Sequence, residues 1–409
     1  MYVVESKGGA IGCMVGALVL LGSWPAILAE LERGGRLPQH TYLDYSLTNF
    51  FTACLLAFTI GQIGDSPAPD MPNFLTQIEL YQDNWPCILI AMAGGVFLSL
   101  GNLSTQYALA FVGLSVTEVI TSSIAVVLGT TLNYFLDDRI NRAEILFPGV
   151  GCFLIAVCLG SAVHSSNAGD NAAKLRALSG GRLDSTQYVR DQSSTKDNIE
   201  NGSHEDEGER NRFGSAHHLI ELENNRAIKV LGKSIWVGLG ITLFGGMCYA
   251  LFSPAFNLAT NDQWHAMRHG VVHLVVYTAF FYFSLSFFVV ALLLNIWFLY
   301  RPLLNLPKSS FKAYIRDWNG RNWALLAGVV CGLGNGLQFV GGQAAGYAAA
   351  DCVQALPLVS TFWGIVVLGE YRRSSKRTYI LLVSMLIMFI VAVGVLIASS
   401  GHRKASSYS

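Results

Sequence analysis

Ten stretches of about twenty predominantly apolar residues divide this chain, and they constrain its fold more than any other feature. A helix of about 20 residues spans the hydrocarbon core of a bilayer. Lipid offers the backbone no hydrogen-bond partner, so each stretch must be helical. The sequence therefore predicts an all-α polytopic membrane protein with ten transmembrane helices. The predicted spans cover residues 9–29, 43–63, 87–111, 115–135, 143–163, 235–258, 272–299, 323–347, 351–369 and 378–399.

The scarcity and balance of charge argue against several other classes of protein. Charged residues make up 13% of the chain, against roughly a quarter in soluble domains. The 27 basic and 27 acidic residues cancel, so the net charge does not point to nucleic acid. The cysteines lie within or beside apolar runs and lack metal-ligand spacing. We therefore expect no disulfide framework, no metal site and no cofactor.

One long polar segment, residues 164–234, separates the spans into two groups of five. It is rich in Ser, Asn, Gly and mixed charge, and we expect it to be largely disordered. The predicted units are thus residues 1–163, this segment, residues 235–399 and a short tail at 400–409. Short loops on the segment's side of the membrane carry eleven Lys and Arg residues, and those on the other side carry six. Because basic loops face the cytosol, we expect a cytosolic segment and extracellular termini.

The two groups of spans resemble each other at a separation of about 230 residues, which indicates an internal repeat. Each group has an odd number of spans, so the second enters the membrane from the opposite side. Inverted five-helix repeats of this kind are typical of secondary transporters, whose substrate site lies near the midplane between the halves. The matched positions are Pro25 with Pro254, Thr48 with Thr278, Asn102 with Asn335, and Asp138 with Glu370.

Five segments carry a resemblance to a known family: residues 1–10, 35–45, 113–142, 252–264 and 334–373. They are similar to the signature stretches of plant ureide permeases, within the wider pattern of the drug/metabolite transporter superfamily. The resemblance runs through all ten spans. It implies a transporter and not an enzyme, which imports allantoin and related oxo-heterocycles such as uracil and xanthine. It also implies coupling to protons and a place in the plasma membrane.

Such substrates are small, planar and neutral, with many N–H and C=O groups. A site for them would use amide side chains for paired hydrogen bonds and aromatic faces for stacking. Asn102 and Gln106 share one face of the third span, and Asn335 and Gln338 share one face of the eighth. Buried amides could equally serve as hydrogen-bonded links between helices. The further substrate-binding candidates are Trp24, Gln343, Gln354 and Trp363.

Two acids lie near the starts of related spans, Glu118 in the fourth and Asp351 in the ninth. Ionisable groups inside a membrane are candidates for proton coupling or gating. The alternative is helix capping. The stretch from Ser115 to Glu118 fits a capping box, and Asp351 fits an N-cap.

A loosened nucleotide-binding pattern lies just before the sixth span. Ala227 takes the place of its first glycine, and Gly232, Lys233 and Ser234 complete it. A phosphate loop needs glycines that free backbone N–H groups, a preceding strand and a domain behind it. This stretch leads directly into a membrane helix, so we do not expect it to bind ATP.

Two other functions remain open at this point. An exporter or exchanger of the same superfamily, for instance of sugar nucleotides, would want basic residues inside the spans, which hold almost none. A nucleotide-regulated membrane receptor would act through the central segment. Deleting residues 175–215 would separate the classes, because a transporter should keep its uptake.

Overall fold

The computed structural model describes residues 1–66, 71–137, 139–188, 220, 235–262, 273–303 and 306–400. The regular elements in these ranges are helices, as the apolar runs predict. The longer ones are α1 (Lys7–Arg33), α2 (Pro38–Phe58), α4 (Tyr81–Val112), α5 (Leu114–Ile124), α7 (Ala143–Tyr188), α8 (Ile235–Thr260), α9 (Val276–Tyr300), α11 (Arg321–Ala345), α13 (Leu356–Val366) and α14 (Lys376–Ala398). The shorter ones are α3 (Phe74–Glu79), α6 (Thr130–Leu136), α10 (Phe311–Arg316) and α12 (Tyr347–Ala350).

Nine helical stretches in the described part of the chain are long and apolar enough to cross a bilayer. The predicted second span is not among them. It corresponds to α2, which has 21 residues but buries Gln39, His40, Asp44 and Asn49 along its length. Its length suits a membrane crossing, whereas its polarity suits a helix enclosed by others. A tenth span therefore stays a prediction.

The predicted fourth and ninth spans are both irregular helices. In the fourth, α5 passes through a π-helical turn, Ala125–Gly129, into α6. In the ninth, α12 passes through a 3-10 turn, Asp351–Gln354, before α13 begins. Such breaks loosen the backbone hydrogen-bond ladder and often accompany functional sites.

Two glycines 233 residues apart bring pairs of helices into very close contact. A Cβ atom at Gly95 of α4 would overlap the Ser286 hydroxyl of α9, and one at Gly328 of α11 would overlap the Thr48 hydroxyl of α2. Each hydroxyl donates a 2.7 Å hydrogen bond to the carbonyl three residues before the glycine. By these contacts Thr48 corresponds to Ser286. The internal repeat that was predicted from the sequence paired Thr48 with Thr278 instead.

The contacts between helices can also be grouped in pairs. Helix α1 packs against α11 and α8 packs against α4, while α2 contacts α11 and α9 contacts α4. Helices α2 and α9 also contact each other, and α7 pairs with α14. Each of these contacts has a counterpart when the halves are exchanged. Within the second group of spans lies an aromatic core in which the Phe256 and Phe339 rings stack with centroids 3.6 Å apart.

The central polar segment begins differently from the prediction. Helix α7 continues past the expected boundary at residue 163 to Tyr188, so the expected disorder is wrong for residues 164–188. Its continuation is held by polar contacts, since the Asp170 carboxylate accepts a 2.7 Å hydrogen bond from the Thr378 hydroxyl. The nucleotide-like pattern at 227–234 and the tail at 401–409 lie outside the described residues.

Candidate substrate and coupling site

The centre of the candidate site is Asn102, which α4 carries into the interface between the two halves. Its amide nitrogen donates to the Tyr45 hydroxyl at 2.6 Å, and its amide oxygen accepts from the Tyr249 hydroxyl at 2.8 Å. The Tyr249 hydroxyl also contacts the Thr105 hydroxyl at 2.9 Å. All four side chains are buried. Both polar atoms of the Asn102 amide are thus hydrogen-bonded to tyrosines, one from α2 and one from α8.

Asn335, which the predicted repeat pairs with Asn102, reaches the same cluster through a thiol. The Tyr45 hydroxyl donates to Cys331 Sγ at 2.8 Å, and the Asn335 amide nitrogen donates to the same sulfur at 3.3 Å. The Trp24 ring stacks on Tyr45 with centroids 5.3 Å apart and an interplanar angle of 26°. Asn102, Asn335 and Trp24 are therefore brought together around Tyr45 and Cys331. We call Trp24, Tyr45, Asn102, Tyr249, Cys331 and Asn335 the central cluster.

The glutamine candidates divide into different environments. Gln106 donates from its amide nitrogen to the Pro38 carbonyl at 2.8 Å, which links α4 to the start of α2. Gln343 accepts from the Tyr347 hydroxyl at 3.2 Å, away from the cluster. Gln338 is fully buried, and within the described part of the chain neither of its amide atoms has a hydrogen-bond partner. Among the described residues, both amide atoms of Gln338 and the amide oxygen of Gln106 thus have unused hydrogen-bonding capacity.

Two candidates near the cluster have less direct roles. Trp363 of α13 donates from its ring N–H to the Ser23 hydroxyl at 2.8 Å, so it contacts α1 one residue before Trp24. Gln354 is buried in the 3-10 turn that follows Asp351. Neither side chain has a described hydrogen bond to the central cluster.

Glu118 is buried on α5, with 2% of its surface exposed. Within the residues that the structure describes, its carboxylate has no hydrogen bond or ion pair. Helix α5 begins at Leu114 with Gly113 as its N-cap residue, so Ser115 already lies inside the helix. The capping-box alternative for Ser115 and Glu118 is therefore wrong.

Asp351 is equally buried but has hydrogen-bond donors around it. The Asn133 amide nitrogen donates to one carboxylate oxygen at 2.9 Å, and the Ser253 hydroxyl donates to the other at 3.3 Å. The N-cap position of this span is occupied by Gly346, so the capping alternative for Asp351 is wrong as well. Gly113 and Gly346 have φ angles of +80° and +94°, which glycine adopts at no steric cost, and each stands five residues before its acid.

Sequence reasoning did not identify the polar partners of Asp351. Ser253, Asn257 and Asn261 recur every four residues along α8 and just beyond it, and this spacing places them on one helical face. The spacing was a usable signal. Asn133 and Tyr45, in contrast, lie among other polar residues of their own helices, so no pattern singles them out and only the tertiary packing brings them to the site.

A buried ionic cluster joins the start of α2 to the segment that precedes α11. The Asp44 carboxylate accepts hydrogen bonds from Arg36 Nη2 at 2.6 Å, the Tyr314 hydroxyl at 2.7 Å and Arg321 Nε at 3.2 Å. Arg36 and Asp44 are each at most 4% exposed in their side chains. The sequence suggested only that these arginines are loop charges, because it does not show which acid they enclose.

His40 extends this cluster on the side of Asp317. Its Nδ1 lies 2.6 Å from an Asp317 carboxylate oxygen, and its Nε2 lies 2.8 Å from the Ser309 hydroxyl. Burial raises the pKa of Asp317, but the hydrogen bond from His40 and the charge of Arg36 outweigh it and hold the pKa below its usual range. The cluster thus fixes α2, from the first group of spans, to residues of the second group.

Comparison with known proteins shows the family of this chain. The family model described as Ureide permease matches residues 41–399. Ureide permease 2 of Arabidopsis thaliana is 68% identical over 99% of this chain and 100% of its own length. Ureide permease 1 of the same plant is 66% identical, also over 99% and 100%, and the Probable ureide permease A3 of Vigna unguiculata is 62% identical over 93% and 100%.

The chain belongs to the ureide permease family.

This membership confirms the resemblance from the sequence, and with it the broad function. Ureide permeases are transporters and not enzymes, so the chain is an integral, multi-pass membrane protein that transports ureides. The family match includes both acids and every member of the central cluster except Trp24, which lies within the stretch that the full-length relatives cover.

Proposed function

We propose that this ureide permease is a secondary active importer of allantoin and related oxo-heterocycles, including uracil and xanthine, driven by protons through alternating access. The observation that carries the proposal is the central cluster. It gathers amide, hydroxyl and aromatic groups from both groups of spans around Asn102.

The chemistry of the cluster suits a neutral, planar substrate. An amide offers a donor and an acceptor side by side, as do the N–H and C=O groups of a ureide ring. Tyrosine hydroxyls can exchange their bonds to Asn102 for bonds to a substrate, and the Trp24–Tyr45 stack offers a flat surface beside them. Gln338 supplies two further polar atoms that have no partner among the described residues.

An exporter or exchanger of phosphorylated sugars fits this site less well. A phosphate requires cationic donors. None of the hydrogen bonds or ion pairs described for the central cluster involves a Lys or Arg side chain. The described basic side chains with charged partners gather instead near Asp44 and Glu370.

Alternating access requires contacts between the halves that break in turn at the two ends. At one end Arg33 contacts Glu370 at 2.7 Å, near the Asp44 cluster. At the other end the Asp137 carboxylate accepts from the Tyr347 backbone N–H at 2.7 Å. The basic loops lead us to assign the first end to the cytosol and both termini to the outside of the plasma membrane. A reporter in residues 189–219 that is labelled from outside intact cells would overturn this orientation.

The test is uptake of radiolabelled allantoin and uracil by yeast that expresses the protein, with and without a protonophore. We expect concentrative uptake that the protonophore abolishes. Asn102→Ala should raise the half-saturation concentration about 5- to 150-fold and leave the pH dependence intact, because it removes hydrogen bonds from a buried site.

Asn295→Ala is the matched control for this test. Asn295 is a fully buried amide of α9 whose nitrogen donates only within its own helix, to the Ala291 carbonyl. The control should keep the wild-type half-saturation concentration. An unchanged value in Asn102→Ala, at equal surface expression, would remove the central cluster from substrate binding.

A further inference from the structure

A chain of three asparagine side chains leads to Asp351, and every hydrogen bond in it points the same way. The Asn261 amide nitrogen donates to the Asn257 amide oxygen at 2.8 Å. Asn257 in turn donates to the Asn133 oxygen at 3.2 Å, and Asn133 donates to the Asp351 carboxylate at 2.9 Å. All four side chains are buried, so none of these bonds competes freely with water.

The direction of the chain favours the ionised form of Asp351. Because the Asn133 oxygen is already bonded to Asn257, its nitrogen faces Asp351, where it can only donate. The Ser253 hydroxyl receives a second bond from Asn133 at 2.8 Å and itself donates to Asp351. An ionised carboxylate is an acceptor only, so the charged form of Asp351 can accept from both Asn133 and Ser253.

The residues of the first half that correspond to Ser253 and Asn257 cannot form such hydrogen bonds. With the offset that pairs Pro25 with Pro254, Ser253 corresponds to Trp24 and Asn257 corresponds to Leu28. An indole ring and an aliphatic side chain cannot form such a chain beside Glu118. The amide chain is therefore particular to one of the two related acids and is not a feature that both halves need for folding.

We infer that Asn133 and Asn257 are positioning residues that hold the ionised form of Asp351 between the halves, and so set the pH at which this acid takes part in transport. The inference rests on the proposed proton coupling. Within the described part of the chain, the titratable groups that act on Asp351 are Asp137, at the end of α6, and the neighbouring Cys352. Both stay unchanged in the variants below.

The test is the pH profile of allantoin accumulation in Asn133→Leu and Asn257→Leu, with exchange of external for internal substrate as the measure of folding and binding. Asn133→Leu removes a donor to the ionised carboxylate, which favours the protonated form. We expect the midpoint of the profile to move to higher pH by about one unit. Asn257→Leu, which does not touch Asp351, should move it in the same direction by less.

Two further variants complete the design. Asn295→Leu changes an equally buried amide outside the chain and should leave the midpoint in place. Adding Asn133→Leu to Asp351→Asn should produce no further shift, because the group that it acts on is gone. Should Asn133→Leu fail to reach the cell surface, Asn257→Leu provides the test by itself.

The possible failures can be told apart. A pH-dependent wild type with an unchanged midpoint in the chain variants, at retained exchange, would overturn the positioning role alone. Wild-type accumulation that responds to neither pH nor a protonophore would overturn the proton coupling, and the positioning role with it.

Discussion

Glu118 and Asp351 occupy related places in the two halves, yet their surroundings differ. Each lies five residues after a glycine with positive φ, near the start of an irregular span. Asp351 receives two hydrogen bonds and ends a chain of amides, whereas Glu118 has no partner among the described residues. The backbone frame is thus shared, and the side chains around it have diverged. From this difference we propose that the two acids have different roles in transport.

A third buried acid, Asp44, is paired with two arginines, and its removal should have the largest effect on stability. Asp44→Ala leaves the buried Arg36 and the partly exposed Arg321 near each other without their shared anion. Breaking a buried ion pair in this way costs about 3–5 kcal/mol. We expect a markedly lower Tm in detergent and reduced surface expression.

Asp83→Ala is the control for that measurement, because Asp83 is exposed in the first turn of α4. It removes the same charge and should change the Tm little. Normal stability in Asp44→Ala would mean that the ionic cluster does not hold α2 in place, and that Asp44 belongs with the two acids of the transport site.

The shared backbone frame can be tested at its two glycines. Alanine at Gly113 or Gly346 must adopt a positive φ, which costs about 1–2 kcal/mol. At Gly113 the added Cβ meets open space, whereas at Gly346 it would approach the Asn141 side chain to 2.6 Å. We therefore expect Gly346→Ala to be the less stable variant when urea unfolding in detergent is compared. A larger loss of stability in Gly113→Ala than in Gly346→Ala would show that the two turns are not equivalent.

The smallest effect is expected at Asp317, on the edge of the ionic cluster. Its side chain is 22% exposed, and partly exposed ion pairs contribute about 0–1 kcal/mol. Because the pKa of Asp317 is held below its usual range, its contribution is present at neutral pH and is lost only as the pH falls through that lowered value. Asp317→Asn should thus lower the Tm slightly at pH 7, and the difference from wild type should vanish in acid. A difference that grows in acid would contradict this sign.

Much of the fold follows from apolar length, because a bilayer accepts few alternatives. The predicted spans match the long helices to within a few residues at most ends. The fifth span was one exception, because its helix continues to Tyr188. The second span was another, since polar residues such as Gln39 and Asp44 are enclosed by other helices and lower its apolar character. The π-helical and 3-10 turns were not predicted, because they depend on what packs against the backbone at Gly129 and Asp351.

The candidate site was predictable in part for a similar reason. Asn102 and Asn335 stood out as repeated amides inside spans, and the structure brings both to Cys331. Tyr45 and Tyr249 did not stand out, since tyrosine is common in membrane helices and only tertiary contacts select these two. The capping alternatives failed because the helices begin at Leu114 and Tyr347, earlier than the acids suggested.

The central claim is that the two acids couple transport to protons while the central cluster binds the substrate. The most direct test measures allantoin accumulation and allantoin exchange in Glu118→Gln and Asp351→Asn at matched surface expression. An amide keeps the shape of the acid but cannot carry the proton. We predict that Glu118→Gln abolishes proton-driven accumulation and keeps exchange, and that Asp351→Asn loses the wild-type pH dependence. Wild-type accumulation and pH dependence in both variants would contradict the account.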